Sequence, residues 1–241
     1  MKDCDLITHG LACQEAETWQ DLESVTLRFL LDCGVDMVSY RHIAPLGTHL
    51  AGKPIAVHSH GFPETWIDRY TNSRLYDIDP IPRVSQARTR PFCWLDLVGA
   101  SELTAQEMKF LENLEEEGLG NGLAVPVFGP HGRNGYCGLG YSSADDMPTR
   151  ERQMLLSLAC HQFHWRYCEL RPLPTLPARL SQREKETLRL MAKGASNIQI
   201  AEEMGITAST VDTNVRRCFQ KLGVNDRISA VLRGIVEGVY D

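Results

Sequence analysis

The chain has 241 residues, 43% of them apolar and 23% charged, a balance that excludes disorder and fibrous repeats and allows one large domain or a medium domain plus a small one. No run approaches the roughly 18 apolar residues a spanning helix needs. The start MKDCDLITHG has neither the basic region nor the apolar core of an export signal, so the expectation is a cytoplasmic protein with no membrane partner. Eight cysteines without any C-x-x-C spacing predict reduced, mostly buried thiols. The net charge of -6 is unevenly spread: residues 1–174 hold 15 Lys and Arg against 23 Asp and Glu, and residues 175–241 hold 10 against 8. An acidic body and a slightly basic tail imply two jobs, the phosphate-facing one in the tail.

In chain order, Glu15 to Cys33 places Trp19, Leu22, Val25, Phe29 and Leu30 at helical spacing before the stop at Gly34, predicting an amphipathic helix. Extended runs follow at Met37–Tyr40 and Ile55–Ser59. Leu123–Phe128 and Tyr136–Tyr141, joined by a Gly-rich loop, read as a hairpin. Glu64–Tyr70 and Thr104–Glu117 read as helices, the second opened by the capping box Thr104-x-x-Glu107. Residues 149–169 read as a long helix with Met154, Leu155, Leu158, Ala159, Phe163 and Tyr167 on one side. The expected fold class is α+β: an N-terminal α/β/α sandwich over 1–170, then a C-terminal all-α domain over 179–241. Residues 171–178, which hold Pro172, Pro174 and Pro177, are the expected linker, since proline suits neither a helix interior nor a central strand.

The tail reads most clearly, as four helices. Ser181-x-x-Glu184 is a capping box and Gly194 ends the helix it opens; a second helix runs from about Asn197 to Met204; Gly205 turns; Thr207 caps a third that reaches Leu222 and stops at Gly223. Helix, glycine turn, helix is the helix-turn-helix pattern. In the third helix Val211, Val215, Phe219 and Leu222 form an apolar back. Asp212, Thr213, Arg216, Arg217 and Gln220 then face solvent, a front suited to the major groove of double-stranded DNA. Arg216 could read guanine and Asp212 cytosine. Four residues apart, the two could equally pair with each other. Ser209, Thr210 and Lys221 are candidate phosphate contacts.

The run LSQREKETLRLMAKGASNIQIAEEMGITASTVDTNVRRCFQKLGVNDR resembles the DNA-binding domain of LuxR-type transcription regulators, whose characteristic Glu, Leu and Gly fall on Glu184, Leu188 and Gly194. Ala195 departs from the usual Lys, and Asp212, Asn214 and Arg217 stand where the family usually has Lys, His and Asn, which points to an unusual operator.

In the body, Trp66-x-x-x-Tyr70 puts two aromatics on one helical face. Asp79-Pro80 follows, then Trp94 and Gly122. In order and spacing these resemble the signature of the acyl-homoserine-lactone-binding domain of quorum-sensing LuxR-type receptors. The resemblance implies that Trp66 donates to the lactone carbonyl, that Asp79 accepts the amide N–H, and that Tyr70 and Trp94 wall the pocket. Phe62 replaces a frequent Tyr, and Ala124 and Gly138 replace frequent Thr or Ser near the acyl carbonyl. Fewer hydroxyls and an opened wall at Gly138 and Gly140 suggest an aryl or branched acyl group rather than a 3-oxo straight chain. Ser39, Tyr40 and His42, and Ile55, Val57 and Ser59, are candidates for the acyl end, with the inward set open by one residue; Ile81 completes the candidate lining.

His42, His49, His58 and His60 fit no recognised metal spacing, so neither a metal nor a cofactor is expected beyond the lactone signal. An enzyme using Cys93 or Asp79 with His58 has no supporting motif, whereas a sensor of a non-lactone molecule, or of none, stays open. The resemblance implies a homodimer, formed through the apolar face of helix 149–169, on a pseudo-palindromic site. RNA polymerase is a further candidate partner.

Overall fold

A computed structural model describes residues 5–43, 57–100, 102–172 and 179–240. Cys4, His49, Ile55 and residues 173–178 of the expected linker lie outside the described residues. The backbone divides into two compact units; the chain passes to the second after Arg171, and Pro130–Gly132 also group with it.

The first unit is built on an antiparallel sheet of β1 (Met37–Ile43), β2 (Val57–His60), β3 (Phe92–Cys93), β4 (Gly122–Phe128) and β5 (Asn134–Gly140), in the order β2-β1-β5-β4-β3. Helices α1 (Leu6–Glu15), α2 (Trp19–Asp32) and α6 (Arg150–Leu170) cover one face; α3 (Glu64–Asn72), α4 (Pro80–Gln86) and α5 (Ala105–Glu116) cover the other. Alternation along β1 therefore feeds two cores. Val38 and Tyr40 join Trp19, Leu22, Leu30 and Phe163 on the first face, while Met37 joins Trp66, Trp94 and Phe110 on the second.

Most expected elements are present, and the capping boxes at Thr18 and Thr104 set two helix starts. Helix α1 was not expected, because its buried face is His9, Gly10 and Cys13 while Ile7 and Leu11 point outward. The apolar stripe expected on α6 is split: Ala159 and Phe163 are buried, but Met154 is 68% and Leu158 49% exposed. Cys13, Cys93, Cys137, Cys160, Cys168 and Cys218 are free. Cys33 is disulfide-bonded, which corrects the expectation of reduced thiols throughout; nothing in the cysteine spacing signals it.

The second unit holds α7 (Gln182–Ala192), α8 (Asn197–Met204), α9 (Ala208–Leu222) and α10 (Arg227–Val236) around a core of Leu188, Leu190, Ile200, Val211, Val215 and Leu222. Gly205 closes α8 at φ 63° and Gly223 closes α9 at φ 66°, a left-handed conformation that costs a residue with a Cβ about 1 kcal/mol or more.

Candidate ligand cavity and nucleic-acid face

Between the sheet and α3, α4 and α5 lies a half-open cleft with about 620 Å³ free of protein atoms, open solvent at its mouth included. Trp66, Tyr70, Asp79, Ile81, Trp94, Phe62, Ser39 and Ser59 line it, with Ile67, Thr71, Phe110, Leu114 and Tyr136. The last five escaped the sequence analysis. Tyr136 was findable, being two residues from Gly138 and hence on the same strand face.

Asp79 is the N-cap of α4: Oδ1 accepts from the Ile81 amide at 2.9 Å, and Oδ2 accepts from the Tyr70 hydroxyl at 2.7 Å. Pro80 follows at the first helical position, where its missing N–H costs nothing. Burial pushes the Asp79 carboxyl up to about 6, against the opposing pull of the Tyr70 and Ile81 hydrogen bonds and of the Arg41 charge. Trp66 is buried on α3, with the Arg69 guanidinium 5.3 Å over its ring. Arg69 in turn ion-pairs with Glu117 beyond the end of α5.

Trp94 is buried against β4. A Cβ on Gly122 would fall 2.2 Å from its ring, so the glycine makes room for the indole. Gly122→Ala is expected to cost about 1–3 kcal/mol of stability through overpacking, read as a lowered Tm; an unchanged Tm would deny Gly122 this role. Gly138 does not open the wall as expected. A Cβ there would meet Ser39 Oγ at 2.5 Å and the Trp94 ring at 3.2 Å, so those two side chains already fill the space. Ala124 pairs with Gly138 in register and is buried in the same core.

Tyr40 does not reach the cavity. Its side chain lies on the opposite face, where its hydroxyl is 2.8 Å from His164 Nδ1; the pleat puts Ser39 and Tyr40 on different sides. Val57 opens β2, but its side chain lies outside the described residues. His58 packs on Trp19, 4.2 Å between ring centroids, on the Tyr40 face. The sheet thus separates it from Asp79.

In the second unit, Asp212, Thr213, Arg216 and Arg217 are exposed along α9. Ser209, Thr210, Thr213, Asn214 and Arg217 line a shallow polar groove with Ser181, Gln182 and Arg183 from the start of α7; of these last three, only Ser181 was singled out in the sequence, as a helix cap. Asp212 forms no ion pair with Arg216 among the described residues; it accepts from Asn197 Nδ2 at 2.6 Å, and Asn197 accepts from Arg227 at 3.1 Å. Asp212 thereby ties α8 to α9. Lys221, expected on phosphate, instead donates to the buried Glu184 carboxylate at 2.7 Å and to the Arg179 carbonyl at 3.1 Å. Its reach is taken up by the charge that caps α7. Leu188 is fully buried, and Gly194 follows α7 at φ 83°.

A sheet-and-helix cavity domain followed by a helix-turn-helix has the architecture of a two-domain transcription regulator. Residues 18–167 match the autoinducer binding domain and residues 178–233 match the bacterial regulatory proteins of the luxR family. The chain belongs to that LuxR family of DNA-binding quorum-sensing regulators. It is 26% identical to the transcriptional activator protein AnoR of Acinetobacter nosocomialis over 212 residues, 86% of each chain. It is 28% identical over 185 residues to the HTH-type regulator y4qH of Sinorhizobium fredii, covering 75% of this chain and 56% of that protein. The crystal structure of Escherichia coli SdiA has the same fold, with TM-score 0.76 at 20% identity over 98% of both chains. SdiA in complex with octanoyl-rac-glycerol gives TM-score 0.73 at 20% identity, over 98% of this chain and 97% of that one.

Proposed function

We propose that residues 1–170 bind an acyl-homoserine lactone, that 171–178 are a linker, and that 179–241 bind a pseudo-palindromic promoter site as part of a cytoplasmic homodimer. The observation that carries this is the placement of Trp66 and a buried Asp79 on one apolar cavity. The indole N–H suits the ring carbonyl and the carboxylate suits the amide N–H, pairing groups that would each cost about 1–3 kcal/mol if buried unpaired. Phe62, Phe110 and Tyr136 make flat walls, which favour an aryl or branched acyl group. Ligand burial then stabilises the domain by mass action.

Dimerisation is assigned to the exposed Met154 and Leu158 of α6, an apolar face without a partner in the single chain. RNA polymerase is the partner through which such a dimer would act. No described helix is long and apolar enough to cross a membrane.

The second reading, a non-lactone ligand, draws on the octanoyl-rac-glycerol complex of SdiA. Mass spectrometry of ligand extracted from protein produced with and without added lactones separates the two: intact lactone supports the first reading, and an acylglycerol retained in both preparations supports the second. For the DNA face, Arg216→Ala is expected to cost about 1–3 kcal/mol in binding to a duplex selected from random sequence, with little change on a scrambled one. Equal losses on both duplexes in fluorescence anisotropy would make Arg216 a phosphate contact.

A further inference from the structure

Arg41 was not among the candidates, and it follows Ser39 by two residues on β1, which places both on the cavity face. In register it stands opposite Tyr136, which lines the cavity. Its Nε and Nη1 are buried and have no hydrogen-bond partner among the described residues. Asp79 does not supply one: the hydrogen bonds its oxygens accept come from Tyr70 and the Ile81 amide. The guanidinium is nonetheless close enough for its charge to favour the ionised forms of Asp79, Tyr70 and Tyr136. A second donor is orphaned on the same wall: Trp94 Nε1 is buried without a partner, and its ring lies against the position of Gly138, beside Ser39.

Buried donors without acceptors are costly, and most of all on a charged group. The lactone assigned above uses Trp66 and Asp79 for its ring carbonyl and amide N–H. Its amide carbonyl has two lone pairs, fewer than the three orphaned donor atoms, so N–H groups stay unpaired if the acyl group is bare hydrocarbon. Phe62, Ala124 and Gly138 carry no hydroxyls that could share these acceptors.

We propose that Arg41 is a specificity-determining residue whose guanidinium donates to an oxygen acceptor on the acyl group, so that the cognate messenger carries an oxo or carboxylate oxygen beyond its amide. This rests on the lactone reading and deepens it. Neutral and anionic acceptors satisfy the same donors, and a charged acceptor makes the stronger bond.

The test is titration calorimetry of the full chain with matched lactones of the branched and aryl kinds assigned above: 4-methylpentanoyl against 4-methyl-3-oxopentanoyl, and benzoyl against 4-carboxybenzoyl. Wild type is expected to favour the acceptor-bearing member of at least one pair by about tenfold or more, and the favoured pair tells a neutral from an anionic acceptor. Arg41→Met, of similar length without donors, is expected to lose that preference and to bind the bare member as well as wild type or better. Arg41→Lys should retain part of it. The comparison within wild type decides even if Arg41→Met does not fold. Bare lactones binding wild type as tightly as their substituted partners, or a preference unchanged in Arg41→Met, would overturn the role of Arg41 and leave the lactone reading standing. Failure of all four lactones to bind would overturn the lactone reading and the role of Arg41 with it.

Discussion

Asp79→Asn is expected to weaken lactone binding by about 2–4 kcal/mol, roughly thirtyfold to a thousandfold, with DNA contacts of the tail untouched. Asn has the right volume and can still cap α4 through its side-chain oxygen. What it loses is the second acceptor, because its NH2 would face the ligand's amide N–H. Calorimetry with the lactone checks this; affinity within threefold of wild type would remove Asp79 from the binding site.

The same carboxyl gives a pH signature. Burial raises it from 3.8 to about 6. Between those values the folded chain keeps a proton that the unfolded chain has released. The contribution to stability is therefore complete below pH 3.8 and lost as pH rises through about 6, on the order of 3 kcal/mol in all. Lactone binding runs in the opposite direction, since only the carboxylate accepts the amide N–H. Affinity should fall as pH drops below about 6 in wild type and stay flat in Asp79→Asn, and the difference between the two isolates this group from others that titrate.

Lys221→Met is expected to destabilise the second unit by about 2–4 kcal/mol, read as a lowered Tm or denaturant midpoint of the full chain. Burial pushes the Glu184 carboxyl up, but the hydrogen bond from Lys221 and those from Ser181 outweigh it and hold the group below its usual value. The stability this gives is present above the ordinary Glu range and is lost as pH falls through the lowered value. Without the ammonium, Glu184, with its side chain 4% exposed, is left with a buried charge supported only by the Ser181 cap. A variant of unchanged stability and reduced salt dependence of DNA binding would return Lys221 to the phosphate face.

These two residues show where sequence was legible and where it was not. Trp66, Tyr70, Asp79 and Trp94 stood out because their order and spacing along the chain resemble the family signature, and the structure gathers them from α3, the start of α4 and the turn after β3 onto one cavity. Ser181-x-x-Glu184, Gly205 and Gly223 announced the tail because caps are local. Long-range pairings left no such trace. Lys221 looks like a free cation until α9 packs on α7 and brings Glu184 within 2.7 Å. Tyr40 and Ser39 are interchangeable in sequence, and only strand pairing and the packing of α2 and α6 decide which faces the cavity. Asp79-Pro80 opens α4, a seven-residue helix too short for an apolar period to show.

The central claim is that the Trp66 indole and the Asp79 carboxylate hold an intact lactone messenger. Titrating the purified chain with a radiolabelled acyl-homoserine lactone and analysing what is recovered tests it most directly. The account predicts saturation at one lactone per chain, recovered unchanged, with saturation lost in the Trp66→Phe, Asp79→Asn double variant. Saturation that survives in the double variant, or recovery of ring-opened acid in amounts exceeding the protein, would contradict it.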